Sequence, residues 1–147
     1  MSTAGTYPHP AVPHGPRAFR LRIRRLGPFV ALAPAATLGV VAWLLLHGNT
    51  ATSRGLTGFA AVVLAAPVLL AAGIPLTTES GRFVMGVVAS IVLWLVVGLL
   101  AARRATRSPV ASWRDFWREF AWLAAGIWLG VGVGLMAIEL LLGGVAP

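Results

Sequence analysis

The chain has 147 residues, of which 58% are hydrophobic and 11% charged, with a mean hydropathy of +0.84. Soluble domains carry about 25% charged residues, so this composition excludes a water-clothed globule and makes lipid the natural solvent. The absence of cysteine also excludes disulfides, thiolate metal sites and cysteine nucleophiles.

A net charge of +8 would ordinarily raise nucleic acid as a partner. Here, however, every basic residue is arginine, and the arginines cluster beside apolar runs. Arg17, Arg20, Arg22, Arg24 and Arg25 precede the first run, and Arg103, Arg104, Arg107, Arg114 and Arg118 lie between the last two. Membrane proteins place charge in this way, facing anionic headgroups and setting topology. The expected partner is therefore a bilayer with anionic headgroups, and no nucleic acid is expected. Lysine is absent while Ala, Gly, Val and Arg abound, which suggests GC-rich coding and a bacterial cytoplasmic membrane.

Residues 1–16 hold four prolines and no charged side chain, the pattern of an extended, disordered tail. His9 and His14 have no carboxylate or thiol nearby, so they read as solvated tail residues and not as a metal site. Residues 17–27 form a basic juxtamembrane segment. As a helix it gathers Phe19, Ile23 and Leu26 on one face. It reads either as a surface helix on anionic lipid or as a basic flank that only fixes topology. Arg24-Arg25 invites a twin-arginine export reading, but Gly27 and Pro28 fit it poorly, and three further apolar runs make the first a retained anchor.

Residues 28–147 read as an all-α, polytopic membrane domain. A helix needs about 20 apolar residues to cross the hydrocarbon core, and four runs qualify, at 28–47, 56–76, 83–102 and 120–142. Unbroken apolar runs without period-2 alternation exclude a β-barrel. Pro67, central in the second run, should kink it. Before the fourth run, Ser108-Pro109 resembles an N-cap followed by proline at the first helical position. Beyond it Trp113, Phe116, Trp117 and Phe120 recur at helical spacing, opposite Arg114, Asp115, Arg118 and Glu119. That pattern predicts an amphipathic interfacial helix over 109–119 running into the fourth span, with Trp113, Phe116 and Trp117 facing the membrane.

Orientation does not follow from counting arginines over four crossings. One side receives Arg17, Arg20, Arg22, Arg24, Arg25 and Arg82; the other receives Arg54, Arg103, Arg104, Arg107, Arg114 and Arg118. Three explanations stay open: the first cluster dominates and keeps the N-terminus cytoplasmic, the proline-broken second run does not cross fully, or the protein inserts both ways. The first is favoured.

No catalytic constellation is legible. Thr37, Ser90 and Thr57 are the hydroxyls near or within the runs, and His47 stands alone at the end of the first. Neither enzymatic activity nor a cofactor is expected. Glu139, inside the fourth run, is the exception, since a central charge there costs about 2.5–3.5 kcal/mol. It reads as an interfacial carboxylate, as an ion pair with Arg82 (or with Arg22, Arg24 or Arg25), or as a proton or cation site. Gly126, Gly130 and Gly134 form overlapping GxxxG motifs that invite close helix approach, within the chain by preference or between chains. Ala31, Ala35 and Gly39 are a weaker version. These features predict a non-catalytic subunit, assembly factor or scaffold with a membrane-protein partner. The alternative is a small homo-oligomeric transporter or channel using Glu139.

Overall fold

The computed structural model describes residues 15–47, 52–72, 81–108 and 110–143. These residues form six helices and no strand, in the order α1 (Pro16–Val30), α2 (Leu32–Leu46), α3 (Thr52–Ala65), α4 (Pro67–Ala71), α5 (Gly81–Ala105) and α6 (Trp113–Gly143). The expected tail falls mostly outside the described residues.

Helices α1 and α2 are one helical path broken at Ala31, which keeps right-handed helical angles and donates its N–H to Gly27 O at 2.9 Å. Proline explains the break: Pro34 has no N–H to offer Val30 O, and its ring crowds that carbonyl. The basic segment therefore continues into the first membrane helix. Of its expected apolar face only Ile23 is buried, while Phe19 and Leu26 are exposed.

Helix α1 packs along the second half of α5, and the two run antiparallel. Successive positions on α1 meet ever earlier positions on α5: Arg20 and Arg24 reach Thr106, Gly27 abuts Ala102, and Ala31 abuts Gly98. The interface is built from small residues. A Cβ on Gly98 would lie 2.5 Å from Ala31 Cβ and 2.9 Å from Pro28 Cα, and one on Gly27 would lie 2.9 Å from Ala102 Cβ. Lipid supplies no hydrophobic drive between helices, so van der Waals contact at this range is what holds them. Ile23, Ala101, Ala102, Ala105 and Phe116 complete this part of the core.

Helix α3 returns alongside α2, its Gly58 against Leu45 and Leu46. At about 1.5 Å per residue its 14 residues span roughly 21 Å, short of the roughly 30 Å hydrocarbon core. It ends at Ala66, where φ −132° and ψ 72° leave the helical region before Pro67. Leu69 N–H then donates to Ala66 O instead of Ala65 O, and the freed Ala65 carbonyl accepts the Trp94 indole N–H at 2.8 Å. A broken helix inside a bilayer must re-satisfy its backbone in this way.

The expected count of four spans is not confirmed. Among the described residues three helices are long and apolar enough to cross a membrane: Arg17–Leu46, Gly81–Ala105 and Trp113–Leu141. The run at 56–76 is divided by the Pro67 break; the runs at 83–102 and 120–142 lie within longer helices, and that at 28–47 follows the α1–α2 path, which ends at Leu46.

The segment expected as an interfacial helix does run into the fourth apolar run, but helix α6 begins at Trp113 and not at Pro109, and extends unbroken to Gly143. Its N-terminus is set by Ser112 and Asp115, not by Ser108-Pro109. Asp115 N–H donates to Ser112 Oγ at 3.2 Å, while Ser112 N–H and Oγ–H donate to Asp115 Oδ2 at 3.1 and 2.6 Å. This is a capping box, each residue satisfying a donor of the other.

Candidate functional site

Thr106 joins the two arginine clusters at the end of the bundle where α1 starts and α5 stops. It is fully buried. Its Oγ1 donates to Ala102 O at 2.8 Å and accepts the Arg24 Nε–H at 3.0 Å, and its carbonyl accepts an Arg20 Nη2 N–H at 2.9 Å. Arg20 and Arg24 sit four residues apart on α1, so one helix face aims both at the same residue. Arg103 and Arg104 lie in the last turn of α5, where positive charge suits the negative end of the helix dipole.

Two recesses open at this end. One, of about 480 Å³, is lined by Arg24, Leu99, Ala102, Arg103 and Arg107; the other, of about 310 Å³, by Arg17, Arg20, Leu21 and Arg24. Arg24 is common to both. Among the described residues the ion pairs join Arg118 to Asp115 and Glu119, each at 3.8 Å, and none involves an arginine of either recess. This end can therefore hold an anion. Nothing in the sequence singled out Thr106. The available signal was a lone threonine inside an arginine run, opposite arginines spaced by one helical turn.

A larger groove, of about 900 Å³, runs between α2, α3 and α5 past Gly39, Phe59, Val62, Ser90 and Trp94. Its polar groups are turned inward to backbone: Ser90 Oγ–H donates to Gly86 O at 2.9 Å, and Trp94 donates to Ala65 as above. Thr37 likewise donates to Ala33 O at 2.8 Å, and His47 Nδ1 lies 3.1 Å from Trp43 O. The groove thus offers apolar surface, suited to acyl chains and not to a charged substrate.

The aromatics expected at the interface differ in exposure. Trp117 is exposed and Trp113 half-buried, but Phe116 is fully buried beneath them. The Phe116 ring lies 3.0 Å from where a Gly27 Cβ would stand and contacts Trp113, Trp117 and Phe120 edge-on or stacked. Phe116 is a core residue because glycine at position 27 leaves room for its ring.

A Cβ on Gly126, Gly130 or Gly134 would meet no other part of the described chain within 4 Å. Helices α5 and α6 join through Trp94–Phe120 and the turns around it, so the glycine stripe, expected to pack within the chain, has no partner among the described residues. Among the described residues no ion pair joins Glu139 to Arg82, and both are exposed. Glu139 lies 26 positions beyond Trp113, about 39 Å along the helix, which removes Arg22, Arg24 and Arg25 as partners. Compared with known proteins, the sequence matches no family model, no curated protein and no solved structure.

Proposed function

We propose that this chain is a non-catalytic multi-pass protein of a bacterial cytoplasmic membrane, a subunit, assembly factor or scaffold that acts through its helix faces. The observation that carries the reading is the bare face of α6. Leu129, Val133, Met136 and Leu140 are exposed by 66–77% and flank the Gly126, Gly130 and Gly134 stripe at 100° per residue. Lipid fits any apolar surface, but a glycine groove beside an aliphatic ridge suits a second helix at close range. The occupant we favour is a transmembrane helix of another protein.

The topology of this reading is three crossings and one re-entrant element, not four spans. Since α1 starts where α5 ends, the α1–α2 path and α5 cross in opposite senses, and α3–α4 must enter and leave on the same side. The arginine tie then disappears. Ten of the twelve arginines fall on the side of the N-terminus, and only Arg54 and Arg82 fall opposite. By the positive-inside bias the N-terminus is cytoplasmic.

The test is purification in mild detergent with mass spectrometry of bound proteins, on the wild type and on Gly130→Leu. A hetero-complex that Gly130→Leu disrupts while leaving thermal unfolding unchanged supports the scaffold. Identical partners bound to both proteins would end the role of this face. The alternative, a homo-oligomeric transporter or channel, draws on Glu139, an exposed carboxylate inside the third apolar helix. A clean homo-oligomer whose transport is lost in Glu139→Gln with stability intact would favour it.

A further inference from the structure

We propose that the recess between α1 and α5 binds the phosphate of an anionic glycerophospholipid, held by Arg24, Arg103 and Arg107, with an acyl chain descending past Leu99. The general attraction of a basic end to an anionic leaflet needs no particular residue. This site needs three. Arg24 is fixed before any ligand arrives, because its Nε–H is committed to Thr106 Oγ1 at 3.0 Å while a guanidinium keeps further N–H donors on its terminal nitrogens. Arg103 is on the last turn of α5 and Arg107 just beyond it, and both line the same recess of about 480 Å³ as Arg24.

Three guanidinium groups around one recess repel one another, and among the described residues no carboxylate pairs with any of them. A bound phosphate relieves that repulsion and accepts the paired N–H donors for which guanidinium geometry is suited. The C-terminal end of α5 works against an anion, but it amounts to about half a negative charge and is outweighed by three full positive ones. The lining also selects a lipid over a free anion. Leu99 and Ala102 lie toward the apolar body of α5 while the arginines lie at its end, so one molecule with a charged head and an apolar tail satisfies both. Basic recesses between membrane helices at the cytoplasmic face have this chemistry.

The proposal rests on the reading that this end of the bundle lies at a membrane surface, and the two can fail separately. The experiment measures binding of phosphatidylglycerol, phosphatidylcholine and inorganic phosphate to the full chain in detergent, by native mass spectrometry and thermal shift. The proteins compared are the wild type, Arg103→Gln/Arg107→Gln and the control Arg114→Gln/Arg118→Gln, which removes equal charge from the same end of the molecule but outside the recess. Phosphatidylglycerol should bind the wild type well ahead of phosphatidylcholine. Its dissociation constant should rise at least about tenfold in the recess variant, the scale of losing charge-assisted hydrogen bonds, and less than about twofold in the control.

Equal weakening in both double variants would reduce the effect to diffuse surface charge and overturn the site. Equal binding of phosphatidylcholine would overturn the phosphate selectivity, and inorganic phosphate competing as well as the lipid would make it a free-anion site. Arg107→Gln alone, outside the helix, replaces the recess variant if circular dichroism shows the latter unfolded. Carbonate-resistant pelleting with cell membranes should persist in every variant. Its loss in the wild type would instead remove the membrane reading itself.

Discussion

A methyl group on Gly98 would stand 2.5 Å from Ala31 Cβ and 2.9 Å from the Pro28 backbone, distances that no side-chain rotation relieves. Alanine is the better helix former by about 1 kcal/mol, so Gly98→Ala pits propensity against overpacking that costs about 1–3 kcal/mol. Overpacking should win, and the midpoint of thermal unfolding in detergent should fall. At Gly130 an added Cβ would meet no other part of the described chain within 4 Å, so Gly130→Ala should leave the midpoint unchanged or raise it; a fall there with none at Gly98 would reverse the assignment of the packed face. Both positions belong to small-xxx-small patterns, Gly98 with Ala102 and Gly130 with Gly126 and Gly134. Spacing shows that a helix can be approached closely, but which helix comes near depends on the path of the chain. That is why the ladder on α6 is legible in the sequence and its lack of a partner among the described residues is not. Trp94 carries a different kind of dependence. Trp94→Phe keeps a ring near Phe120 but strands Ala65 O, and should cost about 1–2 kcal/mol in the same unfolding measurement.

At the scale of the elements, hydrophobicity located the apolar segments and proline decided how they are divided. The runs at 83–102 and 120–142 became the bodies of α5 and α6 because no proline interrupts them. The run at 56–76 has the same apolar character, yet it yields a 14-residue helix and a five-residue one. A hydropathy count cannot tell a kinked helix from a broken one; the outcome turns on whether another side chain can satisfy the freed carbonyl, and Trp94 does so from 29 residues away. The sequence pattern places the start of this helix at Ser108-Pro109, but α6 starts where Ser112 and Asp115 exchange reciprocal hydrogen bonds. Ser112→Ala should therefore destabilise the protein by about 1 kcal/mol while Ser108→Ala changes little, as read by urea or thermal unfolding in detergent. Equal effects from the two substitutions would mean that the capping box does not set this end.

For the whole molecule, the decisive quantity is the number of crossings between the two arginine clusters. Counting the 56–76 run as a span sends Arg103, Arg104, Arg107, Arg114 and Arg118 to the side opposite the N-terminus and produces the six-to-six tie. Removing that one crossing moves all five to the N-terminal side and Arg82 away from it. The hydrogen bonds from Arg20 and Arg24 to Thr106 join the clusters directly, a contact between positions more than 80 residues apart that no local pattern announces. The chain's lack of cysteine makes the topology testable with single cysteines and a membrane-impermeant maleimide applied to intact cells. With three crossings, a re-entrant α3–α4 and a cytoplasmic N-terminus, Thr50→Cys, Ser80→Cys and Ala146→Cys should label, while Ser2→Cys and Ser108→Cys stay protected until the cells are opened. Four crossings from the same start would instead label Thr50→Cys and Ser108→Cys and protect the other three. Insertion in both directions would label a fraction of every variant. Positions 80 and 108 separate the first two topologies outright, because they flank α5 and exchange sides according to whether the proline-broken segment crosses.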